Sequence, residues 1–180
     1  MCKNCEKEPV YEFTNQKKLC KNCFIYWFNK KFSETIKKYN LILPKEKITY
    51  KKSSEVKTAV LEDNLKYIQS KGYINLVNSG KYDKLALTDN LDSTSYQFIE
   101  DLLKNKIKEA EKLKIMNKKE IKPLFFFLDK EIELYAKLRN LKYKKESKKT
   151  TEWINFIDEL EQKHPELKQA IIQSYLKIFN

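Results

Sequence analysis

The stretch Ile48–Gly72, ITYKKSSEVKTAVLEDNLKYIQSKG, decides how the rest of the chain is read. Three β-prone residues, Ile48–Tyr50, run into a polar turn. An amphipathic helix then follows and stops at Gly72. The same alternation returns downstream. Lys84–Leu87 reads as a buried strand, and a long helix is expected over roughly Ser93–Leu113, with Tyr96, Ile99, Leu103, Ile107 and Ala110 on one face. The segment IKPLFFFLD (121–129) reads as a further apolar strand or extended segment, and Pro123 puts its start at an edge or loop. Asp129 can cap a helix running to Leu138. Strand, helix, strand, helix, strand, helix is the order of a small α/β domain with a parallel sheet. Between these units, residues 73–79 read as a helical turn closed by Gly80. A basic linker (141–151) leads to two final helices, Thr151–Lys163 and Pro165–Phe179.

All four cysteines lie upstream of this domain, as Cys2-x2-Cys5-x14-Cys20-x2-Cys23. Each C-x-x-C turn lets two thiolates converge, and two such turns complete a tetrahedron around one metal ion. Zinc is the favoured occupant. An iron–sulfur cluster and a disulfide pair are the alternatives, the latter at odds with a chain without a secretion signal. With four protein ligands the zinc site is full, so its role is structural, and the module needs its metal to fold. The intervening EKEPVYEFTNQKKL (6–19) reads as a hairpin: Val10–Phe13, a turn at Asn15-Gln16, then Lys18-Leu19. A helix from Phe24 follows, with Phe24, Trp27, Phe28, Phe32, Ile36 and Tyr39 as a core stripe. Lys30, Lys31, Lys37 and Lys38 fall on its other faces, as a solvated surface or as phosphate contacts.

Composition bounds the partners. The 180 residues are 41% hydrophobic and include 11 Tyr and 10 Phe, enough for a real core. The formal net charge of +12 suggests a polyanionic partner, most simply nucleic acid. Lysine skew from base composition or from adaptation to heat or salt is the plainer reading. Arg139 is the single arginine, so base-edge reading by arginine gives way to lysine–phosphate contacts and shape. No run approaches about 20 apolar residues, so no membrane partner is expected and the cytoplasm is the expected location. Catalytic equipment is sparse. With only Gly72 and Gly80, no glycine-rich phosphate loop can be built. The only histidine, His164, precedes Pro165 and reads as a capping or surface residue. Asp89 and Asp92 lie past a strand end, where α/β folds place ligands, and are the best carboxylate candidates, but Asp and Asn also cap helices there and capping is the favoured reading.

Several segments together resemble one family. They are CKNC with PVYEF (9–13) and LCKNCFIYWFNKKFSETIKKYNLI (19–42), YDKLALTDNLDSTSYQFIEDLL (82–103), IKPLFFFLDKEIELYAKLRNLKYKKES (121–147) and WINFIDELEQKHPELKQAIIQSYLKI (153–178). They resemble the cytosolic and archaeal tRNA 2-thiouridine synthetases, enzymes of the PP-loop, or adenine nucleotide alpha-hydrolase-like, superfamily. The resemblance implies a zinc ribbon over residues 1–23, a connecting helix over 24–44 and a reduced PP-loop α/β domain with C-terminal helices over 45–180. It also places the ribbon and its neighbouring lysines, Lys18, Lys21, Lys30, Lys31, Lys37 and Lys38, against the tRNA.

The departures shape the functional expectation. Where the family's ATP loop reads like SGGKDS, this chain has Ser53, Ser54, Glu55, Val56, Lys57 and Thr58. Both glycines are gone, and Glu55 would repel a pyrophosphate. Thr88-Asp89 stands where the family has a glycine–histidine pair. A second strand and the first active-site cysteine look deleted between Gln69 and Tyr73, and about Ser147 stands in place of the later one. The family's C-terminal zinc module has no counterpart. The resemblance is therefore closest to the degenerate, non-catalytic subunit of the thiolation complex. It implies a pseudoenzyme without ATP or an iron–sulfur cluster. Such a chain binds tRNA and pairs with a catalytic paralogue, as a heterodimer or larger assembly, to support 2-thiolation of uridine 34. The alternatives are a stand-alone zinc-ribbon RNA-binding or regulatory protein, and an enzyme of altered chemistry using Asp89, Asp92 and Ser53–Thr58.

Overall fold

The computed structural model describes residues 1–144 and 151–179. The N-terminal hairpin pairs β1 (Tyr11–Glu12) with β2 (Lys18–Leu19), antiparallel. Its turn is closed by Gln16 at φ 62° and by the Asn15 side chain, which accepts from the Lys17 N–H at 3.1 Å. Helix α1 (Lys21–Lys38) follows. Its stripe of Phe24, Phe28, Phe32 and Ile36 is buried, and Lys37 and Lys38 in the last turn complement the helix dipole.

The α/β domain begins with β3 (Lys47–Tyr50), followed by α2 (Val56–Ser70). Gly72, at φ +70°, ends α2 in a Schellman turn: its N–H reaches Gln69 O and the N–H of Tyr73 reaches Ile68 O. The expected helical turn at 73–79 is instead a strand. Residues Asn75–Leu76 form β4, parallel to β3, with Lys47 opposite Asn75 and Ile48 opposite Leu76. The open edge of β3 supplies the missing partners, as Asn75 N donates to Glu46 O and Val77 N to Ile48 O while Ile74 is buried. A short second parallel strand thus follows directly after the Gln69–Tyr73 stretch.

Next come β5 (Lys84–Ala86) and α3 (Leu91–Leu103). Helix α3 is shorter than its periodicity suggests, because Asn105 adopts φ 53° and closes a second Schellman turn, with Lys106 N to Asp101 O at 2.7 Å. The chain continues through a single turn, α4 (Ile107–Ala110), and a 3-10 turn at Glu111–Leu113. A tight hairpin then pairs β6 (Met116–Asn117) with β7 (Glu120–Ile121). Only Ile121 of the apolar IKPLFFFLD run is in a strand. After Pro123 the run folds into buried turns, with Phe125 N bonded to Lys122 O and Phe127 N to Leu124 O. Helix α5 is Asp129–Leu138, so Asp129 is its first residue and Leu128 its cap. Helices α6 (Glu152–Lys163) and α7 (Leu167–Phe179) complete the described chain.

The sheet order is β4-β3-β5-β7-β6, with only β6 antiparallel. The chain steps outward from β3 to β4 in one direction and from β5 to β7 in the other. Right-handed crossovers then put α2 and α3 on opposite faces. Helices α1, α2 and α5 pack together, as do α3, α6 and α7. The reversal makes the gap between β3 and β5 a topological switch point, the place where open α/β sheets hold ligands beyond their strand ends.

Candidate functional site

Two constellations stand out. The first is the cysteine tetrad. Cys2 and Cys5 come from the N-terminal turn, which Glu6 closes at φ 61°; Cys20 caps α1 and Cys23 lies in its first turn. All four are free thiols, and their Sγ atoms lie within 4.8 Å of one another, Cys5 to Cys20 at 3.3 Å and Cys5 to Cys23 at 3.7 Å. Four sulfurs held about 2.3 Å from one zinc ion would be about 3.8 Å apart, so the set fits a single tetrahedral ion. The electrostatics agree. Against the effect of burial, backbone N–H groups of Cys20 and Asn4 bring the Cys2 thiol down to about 6. Burial and the neighbouring sulfurs push Cys23 up to about 12. Four sulfurs this close cannot all ionise unaided, and a bound cation resolves that conflict.

The tetrad is tied to the α/β domain through Tyr11. Its ring packs on Phe24 at 5.0 Å and edge-on to Phe13 at 4.8 Å, and its hydroxyl donates to Glu131 Oε1 at 3.3 Å. Glu131, at the start of α5, also accepts from Leu128 N at 3.0 Å and pairs with Lys31 at 3.2 Å. Lys31 lies over the rings of Trp27 (4.8 Å) and Phe127 (4.5 Å). This corrects one expectation. Lys31 faces the interior and is spent on Glu131, because its position four residues after Trp27 turns it inward. Lys21, Lys37 and Lys38 are exposed; Lys18 pairs with Glu12 at 3.1 Å and Lys30 with Glu34 at 3.8 Å on the surface.

The second constellation fills the switch point. A cleft of about 290 Å³ opens there between Glu55, Val56, Lys57, Thr88, Asp89 and Ser93. Behind the lining residues Lys57, Asp89 and Ser93 lies a network centred on Asn90, which is fully buried. The Asn90 side chain accepts from Lys57 Nζ at 2.9 Å and from Ser93 N at 3.2 Å, and donates to Asp129 Oδ1 at 2.8 Å and Phe127 O at 3.1 Å. Lys57 also reaches Asp129 at 3.0 Å. The loop before α2 folds on itself: the Ser53 and Thr58 hydroxyls lie 2.7 Å apart, and Glu55 N donates to Ser53 Oγ. Glu55 is the N-terminal cap of α2 and brings a carboxylate to the cleft, while α2 has no side-chain cap bond.

The two aspartates part ways. Asp89 lines the cleft, 3.6 Å from Lys122. Asp92 is buried, accepts from Asp129 N at 2.6 Å and pairs with Lys168 at 2.6 Å. Lys168, itself buried, also meets Asp158 and Glu161, each at 2.7 Å, and the Tyr96 hydroxyl at 2.7 Å. Burial opposes its charge, but the three carboxylates outweigh burial and hold its pKa above the ordinary lysine range. Asp92 is therefore a structural anchor for α6 and α7. His164 is the exposed C-cap of α6. Ser147 lies outside the described residues.

No protein-family model matches the chain, and no curated protein does. Among solved structures it is similar to the U34-tRNA thiolase NcsA from Methanococcus maripaludis with its [4Fe-4S] cluster. The TM-score is 0.79 at 19% identity, over 99% of this chain and 86% of that one. The chain shares the fold of that structure. At this identity the likeness carries the architecture alone, and the cluster belongs to the other protein. In this chain the four cysteines are all gathered in the N-terminal tetrad, a set close enough to hold one metal ion.

Sequence reasoning missed Asn90, Asp129 and Lys168 as parts of one network. Asn90 was legible: an asparagine before an apolar run with a serine three residues on forms a reciprocal cap, and Ser93 Oγ does accept from Asn90 N at 3.0 Å. Lys168 carries no such signal, being one lysine on an amphipathic helix.

Proposed function

We propose that the chain is a non-catalytic member of a tRNA thiolation system, supporting 2-thiolation of uridine 34 by binding tRNA and pairing with a catalytic PP-loop paralogue. The observation that carries this reading is the self-paired switch point. A nucleotide site there needs free backbone N–H groups and an uncommitted cation for the phosphates. Here Lys57 is bound to Asn90 and Asp129, and Glu55 presents a negative charge where phosphate would sit. The loop contains no glycine, and no cysteine outside the tetrad is available to carry sulfur. The likeness to a thiolase fold supplies the biological setting. We assign the tetrad to a structural zinc ion, supported by sulfur separations that suit one ion, and Lys18, Lys21, Lys30, Lys37 and Lys38 to the tRNA-facing side of that module. Cys2 and Cys5 of the N-terminal turn and Cys20 and Cys23 at the start of α1 would hold the ion and so be cross-linked by it, while Tyr11 and Glu131 hold the hairpin against α5.

Among the described residues no helix is long and apolar enough to cross a membrane, and the proposed setting is the cytoplasm. The test is a tagged purification from native cells with mass spectrometry, paired with measurement of 2-thiouridine in a deletion strain. The expected result is a near-stoichiometric paralogue with an intact ATP loop, together with loss of 2-thiouridine at position 34. Normal thiolation in the deletion strain would sink the reading. A lone protein that retains RNA would instead favour a free-standing zinc-ribbon RNA-binding role.

A further inference from the structure

We infer that the rim of the switch-point cleft carries an RNA-backbone surface built from Lys51, Lys52, Lys142 and Lys144. This deepens, and rests on, the tRNA reading above. Two segments distant in sequence are joined there. The loop after β3 (51–54) accepts a hydrogen bond at Ser54 O from Lys144 N, 2.8 Å long. That bond lays the chain after α5 alongside the entrance to α2. All four lysines are exposed, and residues 51–54 and 140–144 contain no acidic residue.

In a chain with 36 lysines, exposure alone distinguishes nothing. The tether does: it joins two lysine pairs from distant segments beside the entrance to α2. Several lysines elsewhere are balanced by carboxylates one turn away: Lys30 by Glu34, Lys66 by Glu62, Lys104 by Glu100, Lys112 by Glu109 and Lys114 by Glu111. Among the described residues the rim lysines form no ion pair. Lys52 feels the charge of Glu62, which is already bonded by Lys66 and Tyr50. Four exposed cations on two tethered segments make a positive track, and the loop after β3 leads from it into a cleft lined by Glu55 and Asp89. A free nucleotide entering the cleft would meet those carboxylates. A strand running along the rim would place its phosphates on the lysines and stay outside the cleft.

The test is titration of the full-length, metal-loaded protein with an unmodified tRNA transcript, and with poly(U) of the same length, over a range of salt. Three variants are compared: the rim quartet K51Q/K52Q/K142Q/K144Q, a balanced quartet K66Q/K104Q/K112Q/K114Q that removes the same net charge, and K21Q/K30Q/K37Q/K38Q on the metal module. Circular dichroism checks that each is folded. The rim quartet should weaken tRNA binding at least tenfold at about 150 mM salt and lower the log–log salt slope by about 3, four contacts at roughly 0.7–0.9 each. The balanced quartet should change affinity by less than about twofold. Equal losses from the rim and balanced quartets would overturn the inference, since net charge alone would then explain them. If only the metal-module quartet matters, the tRNA reading stands and the rim falls. If the rim quartet abolishes binding to poly(U) and tRNA alike, and wild type does not prefer tRNA, the rim stands and the tRNA reading falls. If wild type binds neither RNA, both are refuted.

Discussion

Replacing Glu131 with glutamine should unsettle the molecule more than any surface change, and the structure says by how much. The carboxylate is 4% exposed and takes three donors: Leu128 N, the Tyr11 hydroxyl and Lys31 Nζ. An amide of the same shape still accepts from Leu128 N, but it leaves the Lys31 ammonium over two aromatic rings without a counter-charge. Breaking one side of a buried pair costs about 3–5 kcal/mol. In a chain of this size that lowers Tm by roughly 6–20 °C. Removing the stranded cation as well, in E131Q/K31M, should restore most of the loss, leaving about 1–2 kcal/mol, because the desolvated charge is gone. The sign of the pH dependence follows too. Burial lowers the pKa of Lys31 and Glu131 opposes that lowering. Without Glu131 the folded-state value drops further, so over the window below the ordinary lysine value the unfolded chain binds more protons than the folded one. Stability of E131Q should therefore rise as pH climbs through that window, more steeply than for wild type. Urea unfolding followed by tryptophan fluorescence, with metal held saturating, measures all four corners of the cycle. A loss below about 1 kcal/mol for E131Q, or no rescue by K31M, would refute a desolvated pair at this position.

Three further outcomes are expected. Cys20→Ser should bind less than one metal ion per chain by elemental analysis, and chelation of the wild type should change the near-ultraviolet signal of the Tyr11–Trp27 cluster while far-ultraviolet helix content largely persists. Asn90→Ala removes the α3 cap and strips Lys57, Asp129 and Phe127 O of a partner. It should cost roughly 2–4 kcal/mol by denaturant unfolding. Gly72→Ala meets nothing closer than Lys45 Nζ at 4.0 Å, so only the φ of +70° resists it; the expected loss is about 1 kcal/mol by the same assay, and a neutral result would mean that the turn relaxes.

What could be read from the residues depended on whether the signal was local. The two C-x-x-C turns, the Gly72 stop and the Phe24–Ile36 stripe are set by spacing within a few residues, and each lies where that spacing puts it. Strand β4 is two residues long and exists because β3 offers it an edge, a tertiary fact that no window over 73–79 contains. The end of α3 turned on Asn105 taking a left-handed conformation inside an otherwise helical pattern. Lys31 was grouped with the surface lysines because lysine is usually exposed, yet Trp27 four residues earlier marks the face it shares. At the switch point the loop residues were legible as a departure from a phosphate cradle. Their mutual satisfaction was not, since Asp129 and Phe127 reach Asn90 from nearly forty positions away.

Those long-range bonds also explain why a metal module belongs to this fold. The path from the tetrad runs through the β1–β2 hairpin to Tyr11, from Tyr11 to Glu131, and along the first turn of α5 to Asp129, which holds Asn90 and Lys57. Every link is a hydrogen bond, an ion pair or an adjacent residue. The hairpin has two-residue strands and a weak ladder of its own, so a metal cross-link at the cysteines would reinforce the packing of Tyr11 on Phe24 and Trp27. Loss of a bound metal would loosen Tyr11, and Glu131 would keep Lys31 and Leu128 N while its third donor weakened. The first turn of α5 would loosen before the sheet does, because the sheet is paired through β3, β5 and β7 without help from the hairpin. Chelation should thus speed amide exchange around residues 128–131 and leave β3 and β5 protected. Uniform loss of protection across the sheet would mean that the ion holds the whole domain together rather than this one corner.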